Sequence, residues 1–324
     1  MDSEEHGWSS IAGTGWSEPA LVRSLLSAGA DPDVLVAGRG RPLHQAAEWG
    51  TPEVLAELAP RVADIDAVYD GRTALWIAVQ ARKADNARFL AEAGADPWRP
   101  MMAGWSPGRL NLAGDTPGLF APPSGTPGLS PQEADEAAAS RIVIAAFDDI
   151  DYDGYSVACV KGIDAAEAVR RLGATVFEPA DPERMVEEAW SSDGEDALLV
   201  VGATDVPGGC VVGQSWAYGA SMPVVSRLLS AGTVCYSLYA NPKSGNQGSS
   251  FHNGAVVEWD GHPGGGWSDA EDSAEEILRT FLYSGEALAY SCAYAGLRPV
   301  DDRALVAPDL WLRMPPRDYW SIAD

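Results

Sequence analysis

Three stretches, GADPD at 29–33, VADID at 62–66 and GADPW at 94–98, recur at intervals of 32 or 33 residues. A period of that length restricts the fold more than any composition does. Ahead of the second and third stand RPLHQAAEWG (41–50) and RTALWIAVQA (72–81), with Leu43 and Leu75 again 32 residues apart. Between these landmarks run further apolar segments: Leu21, Val22, Leu25 and Leu26, then Val54, Leu55 and Leu58, then Phe89 and Leu90. Two short helices and a tight turn per unit fit this pattern. A unit so small cannot bury its own apolar face and must stack on its neighbours.

On these landmarks the segment from about residue 8 to 112 resembles ankyrin repeats, whose units open with a TPLHLAA-like helix and close with GAD-type turns. Arg41-Pro42-Leu43-His44-Gln45-Ala46-Ala47 and Thr73-Ala74-Leu75-Trp76-Ile77-Ala78-Val79 fill that opening. The resemblance implies that His44 is structural, its ring tying neighbouring repeats through backbone hydrogen bonds, rather than a catalytic base or a metal ligand. Trp76 stands where the motif has histidine, so packing has to replace that bond. The resemblance also implies partner binding through the turn tips and the exposed side of the first helix. Those positions are Glu48 and Trp49 in the second unit, and Tyr69, Asp70, Arg72 and Gln80 in the third. A Trp beside a Tyr and an Arg has the composition of an interface anchor; the competing expectation is that Trp49 packs under the adjoining turn. The first unit has a degenerate first helix, Trp8 to Gly13, as terminal capping units often do, and a fourth opening at Gly104-Trp105-Ser106-Pro107 loses the pattern. Three units are about the minimum for a stable stack, so the array is expected to lean on its C-terminal neighbour.

From Asp115 to Pro131 the chain reads DTPGLFAPPSGTPGLSP, a proline and glycine density that no helix or central strand survives. We therefore expect a repeat domain at 1–112, a Pro/Gly-rich linker at 113–140 and a second domain at 141–324. In that domain strands are expected at Tyr155 to Val160, Leu198 to Ala203, Cys210 to Gln214, Val234 to Ala240, Ser249 to His252 and Ala255 to Trp259, the last two joined by Asn253-Gly254, a strong hairpin signal. Helix starts are read at Asp164 with Glu167, at Asp181 with Pro182, and at Ser268 with Glu271 as a capping box. The fold class is thus an α ankyrin-repeat solenoid plus a C-terminal α+β domain with a largely antiparallel sheet. GYSVACVKGIDAAEAVRRLGA (154–174), GGCVVGQSWAYGASMPVVSRLLSAG (208–232) and the stretch from Ser230 to Gly261 resemble a bacterial family catalogued as domain of unknown function 6461. That resemblance implies no activity, substrate or catalytic residue.

The formal charge of −25 is uneven: residues 1–112 carry 15 acids against 10 bases, the remainder 32 against 12. Such a surface disfavours nucleic acid and anionic lipid and permits a basic protein partner. The acidic N-terminus MDSEEHGWSS lacks a leader pattern and no run of apolar residues is long enough to span a bilayer, so a cytoplasmic location is expected. Scarce lysine (Lys83, Lys161, Lys243) beside abundant Ala, Gly and Arg resembles a high-GC bacterial coding bias. The cysteines stand singly and without CxxC spacing, which suggests buried thiols. Asp149-Ile150-Asp151-Tyr152-Asp153-Gly154 copies the first half of a calcium loop, but Val160 falls where the bidentate Glu should be. No catalytic group, metal site or cofactor is therefore expected. If the second domain binds a small ligand or acts as an enzyme, the polar, glycine-bearing stretch with Asn241, Lys243, Asn246, Gln247, Ser249 and His252 is the place for it. The leading expectation is a protein-interaction protein working through the ankyrin face, in a narrower version an immunity-type or antitoxin protein that covers a basic toxin.

Overall fold

The computed structural model describes residues 5–11, 13–36, 38–191 and 195–321. The chain divides into two compact units, the first comprising residues 1–134 with 267–281 and the second residues 135–266 with 282–324.

In the first unit, helices α1 (Glu5–Ser9) and α2 (Pro19–Ser27) are followed by two complete helix pairs: α3 (Pro42–Trp49) with α4 (Pro52–Leu58), and α5 (Ala74–Gln80) with α6 (Ala84–Glu92). The fourth opening yields one more first helix, α7 (Pro107–Asn111), capped by the Ser106 hydroxyl. Proline at the first turn of α2, α3, α4 and α7 fixes φ where no amide is needed. The apolar periodicity becomes the interior: Leu43, Ala46, Ala47, Val54, Leu55, Leu58, Leu75, Trp76 and Leu90 are all buried. Trp8 and Trp16 stack with centroids 5.9 Å apart and close the first repeat, in place of a regular first helix.

The aspartates of the GAD-type turns explain why these turns recur. Asp31, Asp64 and Asp96 each accept the amide two residues on, which shapes the turn. Two residues beyond the first two of these, Asp33 accepts the amide of Ala63 at 2.8 Å and Asp66 that of Asp96 at 3.1 Å, so each carboxylate reaches the next repeat. Asn86 similarly donates to the carbonyls of Ala47 and Gly50 and satisfies the end of α3.

The unit is completed by a segment from far along the chain. Trp267 packs on the Arg72 guanidinium, Ser268 bonds Gln80, the Ala274 carbonyl accepts from Trp105 Nε1 at 2.9 Å, and the Phe281 carbonyl accepts from Arg82 at 3.1 Å. Residues 267–281 thus belong with the repeats, whereas the sequence reading places them in the second domain. The expected helix start at Ser268 is also corrected. The helix runs Ala274–Leu282, and the capping box is made by Ser273 and Glu276, each backbone amide meeting the other's side chain. Ser268 is instead occupied by Gln80.

The second unit is built on eight strands: β1 (Ser156–Lys161), β2 (Thr175–Phe177), β3 (Val200–Val206), β4 (Gly209–Gln214), β5 (Val234–Asn241), β6 (Gly245–His252), β7 (Ala255–Asp260) and β8 (Leu310–Arg313). They form one sheet in the order β2-β8-β3-β4-β1-β5-β6-β7, every neighbouring pair antiparallel. The β6–β7 hairpin turns at Asn253 (φ 48°) and Gly254 (φ 80°), the left-handed pair that a two-residue turn needs. The helices Ala165–Leu172, started by Asp164, and Pro223–Leu229 supply Ala168, Leu172, Val225 and Leu229 to a core with Val160, Val201, Val212, Cys235 and Phe251. Arg171 locks the two helices together by donating to the carbonyls of Leu229 and Ala231. All four cysteines are free and buried, and burial pushes the Cys210 and Cys235 thiols up to about 12, the range of an inert thiol.

Candidate functional site

The second and third repeats carry the residues singled out for partner binding, and the structure treats them differently. In the second repeat His44 is enclosed. Its Nδ1 accepts the Arg41 amide at 3.4 Å and its Nε2 lies 3.2 Å from the Arg72 carbonyl. This arrangement needs a neutral ring protonated on Nε2, and burial holds the imidazole down at about 4. His44 therefore joins one repeat to the main chain of the next.

Beside it, Glu48 is half-buried, and desolvation raises its carboxyl above the usual range, partly offset by a hydrogen bond from Trp49 and by the charges of Arg72 and Lys83. Trp49 itself is 52% exposed, and its carbonyl accepts from Ser17. Tyr69 is half-buried and meets His44 edge to face at 6.2 Å. Asp70, exposed at the tip of a turn where it takes φ 50° ahead of Gly71 (φ 74°), pairs with Arg72. The Arg72 side chain is mostly covered, its guanidinium 5.7 Å from the Trp267 ring.

Gln80 departs from the sequence reading. It stands 32 residues after Glu48, at the same place in the repeat, yet it is only 3% exposed. Its Oε1 accepts from Trp76 Nε1 at 2.8 Å and its Nε2 donates to Ser268 at 3.2 Å. Gln80 is an internal residue with no surface to offer. The same chain of bonds resolves the Trp76 substitution. The indole is fully buried, and it adds an intrahelical bond to the packing expected of it.

The structure adds two residues that the sequence reading passed over. Leu35 and Val68, 33 residues apart, are exposed apolar side chains in the turns of successive units. Their signal in the sequence is an apolar residue at the same repeat position just after the aspartate turn. It is hard to separate from buried neighbours such as Val36.

In the second unit the stretch from Asn241 to His252 is mostly strand. Only residues 242–244 form the turn between β5 and β6, so the polar, glycine-bearing stretch is a hairpin in which the two strands extend past the bounds expected for them. Period-two alternation then splits the candidates. Asn241, Gln247 and Ser249 line a cavity of about 620 Å³ with Tyr239, Trp259 and Trp320, whereas Lys243, Asn246 and His252 do not line it. Among the described residues no three His, Cys, Asp or Glu side chains gather into a metal-binding group, and no helix is long and apolar enough to cross a membrane.

Comparison with known proteins agrees with the architecture of the first unit. The chain is similar to the human (Homo sapiens) B-cell lymphoma 3 protein, 39% identical over 83 residues, which cover 24% of this chain and 18% of that protein. The chain thus spans under a fifth of the length of that curated relative. A family model described as ankyrin repeats matches residues 12–101 in three copies, and this part of the chain is an ankyrin repeat array.

Proposed function

We propose that the chain is a binding protein whose ankyrin array holds a partner protein on the surface left open around the second repeat, with Trp49 as the anchor and Glu48, Asp70, Leu35 and Val68 as further contacts. Ankyrin repeats imply protein–protein interaction as a class. The observation that carries the assignment to this surface is the contrast between exposed Trp49 and covered Gln80 one helix pair apart. A half-exposed indole is the kind of side chain that a partner desolvates, and Leu35 and Val68 add exposed apolar side chains in the turns of the same array. Tyr69 and Arg72 contribute by holding the turn, since both are largely engaged within the array.

The partner in this reading is a basic protein, and the role is immunity-like or antitoxin-like, with the bacterial cytoplasm as the setting. The net charge of −25 supports a basic partner, because complementary fields speed encounter and make the complex sensitive to salt. The resemblance of residues 154–174, 208–232 and 230–261 to domain of unknown function 6461 belongs to the same proposal. A photo-crosslinker placed at position 49 should capture the partner, whereas one at exposed Trp190 should not. The captured protein should then bind the Trp49→Ala, Val68→Ser chain at least about tenfold more weakly, and its affinity should fall steeply with salt. Equal affinity for wild type and double variant rejects this surface, and salt-independent binding rejects the basic partner.

A further inference from the structure

The cavity over β5, β6 and β7 has a composition of its own. Its mouth carries Trp259 and Trp320, 63% and 57% exposed. Indoles left so open lose apolar burial unless something stacks on them. Tyr218 has its ring centroid 5.7 Å from that of Tyr239 and 5.4 Å from that of Trp320, so these three rings form one aromatic surface.

The floor is hydroxylic. Ser226 donates to Ser237 at 2.9 Å, and Ser237 and Ser249 are again 2.9 Å apart. When Ser226 donates to Ser237 and Ser237 to Ser249, the last proton of the chain is that of Ser249, a side chain 4% exposed at the cavity wall. Asn241 spends its Oδ1 on the Lys243 amide, which leaves its NH₂ as a donor. Asp260, one residue on from Trp259, turns to the other face of the sheet, where its carboxylate accepts from the Tyr236 hydroxyl at 2.6 Å and from the His262 amide at 2.8 Å.

The charge inventory narrows the ligand further. Among the described residues no Lys, Arg or His lines the cavity, and the acidic residue at its edge, Asp260, aims its carboxylate at Tyr236 on the other face of the sheet. A phosphorylated or carboxylated ligand would find no counter-charge. Flat apolar faces beside neutral hydroxyl and amide groups match a molecule with alternating C–H faces and hydroxyl edges. The volume lies in the range of small-molecule sites.

We infer that this cavity is a binding site for a neutral saccharide, one or two sugar rings stacked on Trp259 and Trp320 with their hydroxyls on Ser249, Asn241 and Gln247. The site is separate from the partner-binding surface, so either assignment can fail alone.

The test is titration of the full chain with glucose, galactose, N-acetylglucosamine, maltose and cellobiose. The readout is the indole N–H resonances, assigned by loss of one signal each in Trp259→Ala and Trp320→Ala. At least one sugar should shift both resonances saturably, and its glucose phosphate counterpart should bind more weakly. Trp259→Ala and Ser249→Ala should each weaken binding about tenfold, as expected for loss of an aromatic platform or a buried donor, while Trp49→Ala keeps wild-type affinity. Trp259 is exposed, so its removal leaves the fold intact even where Ser249→Ala does not. The inference is overturned by any of three results: no shift from any of the five sugars up to about 20 mM, weaker than any useful affinity; saturation by adenosine or choline in place of the sugars; or equal affinities for wild type and Trp259→Ala.

Discussion

The second and third repeats share one sequence pattern and solve its central position in opposite ways. In the second, His44 reaches outward to the next repeat's main chain, and the residue at the helix end, Trp49, stays open. In the third, Trp76 turns its polar edge inward to Gln80, and Gln80 is sealed by Ser268. The difference teaches that a repeat's exposed face is not a property of the repeat alone. It depends on what the rest of the chain lays over it, and here that is residues 267–281.

The strongest way to break the comparison is Trp76→Ala, which empties a fully buried site and leaves the Gln80 Oε1 without its donor. The first unit should lose about 3–5 kcal/mol, read from its denaturant transition in the full chain. Acid should act on the other repeat. The unfolded His44 takes up a proton near pH 6.5, whereas the folded ring resists until about pH 4. The stability it contributes is therefore whole above pH 6.5 and declines as the pH falls toward 4. The span is about 3 kcal/mol by linkage, and His44→Gln should remove that part of the pH dependence. Gln80→Leu leaves the Trp76 N–H without an acceptor and should cost about 1–3 kcal/mol. Trp49→Ala should change stability by no more than about 0.5 kcal/mol and act on partner binding alone. A large stability loss there would mean that Trp49 packs within the array instead of serving it.

Much of this architecture is legible in the residues alone. The 32-residue spacing locates both complete helix pairs, and Val, Cys and Tyr runs locate six strands to within a few residues. The parts that escape do so for physical reasons. β2 and β8 are three and four residues long, TVF and LWLR, too short for alternation to register. Two S-x-x-E patterns sit five residues apart, and spacing alone cannot choose between Ser268 and Ser273. The choice is made by Gln80, 188 residues away. The covering of Gln80 and Arg72 escapes for the same reason, because periodicity reports the helix and is silent about distant chain. At the candidate cavity, Asn, Pro, Lys, Ser and Gly between 241 and 245 resemble a loop. Strand pairing sorts Asn241, Gln247 and Ser249 to one face, the Asn253-Gly254 hairpin sets Trp259 opposite Ser249, and Trp320 enters from an element that sequence proximity cannot connect.

The late segment that closes the array also sets an order of events during synthesis. The repeats leave the ribosome as far as residue 134, and more than a hundred further residues must be made before Trp267 to Phe281 exist to meet Trp105, Gln80 and Arg82. Until then a nascent chain carries the Trp105 and Gln80 donors without acceptors and an apolar seam without its cover. That interval is the time when chaperones and premature associations compete for the surface.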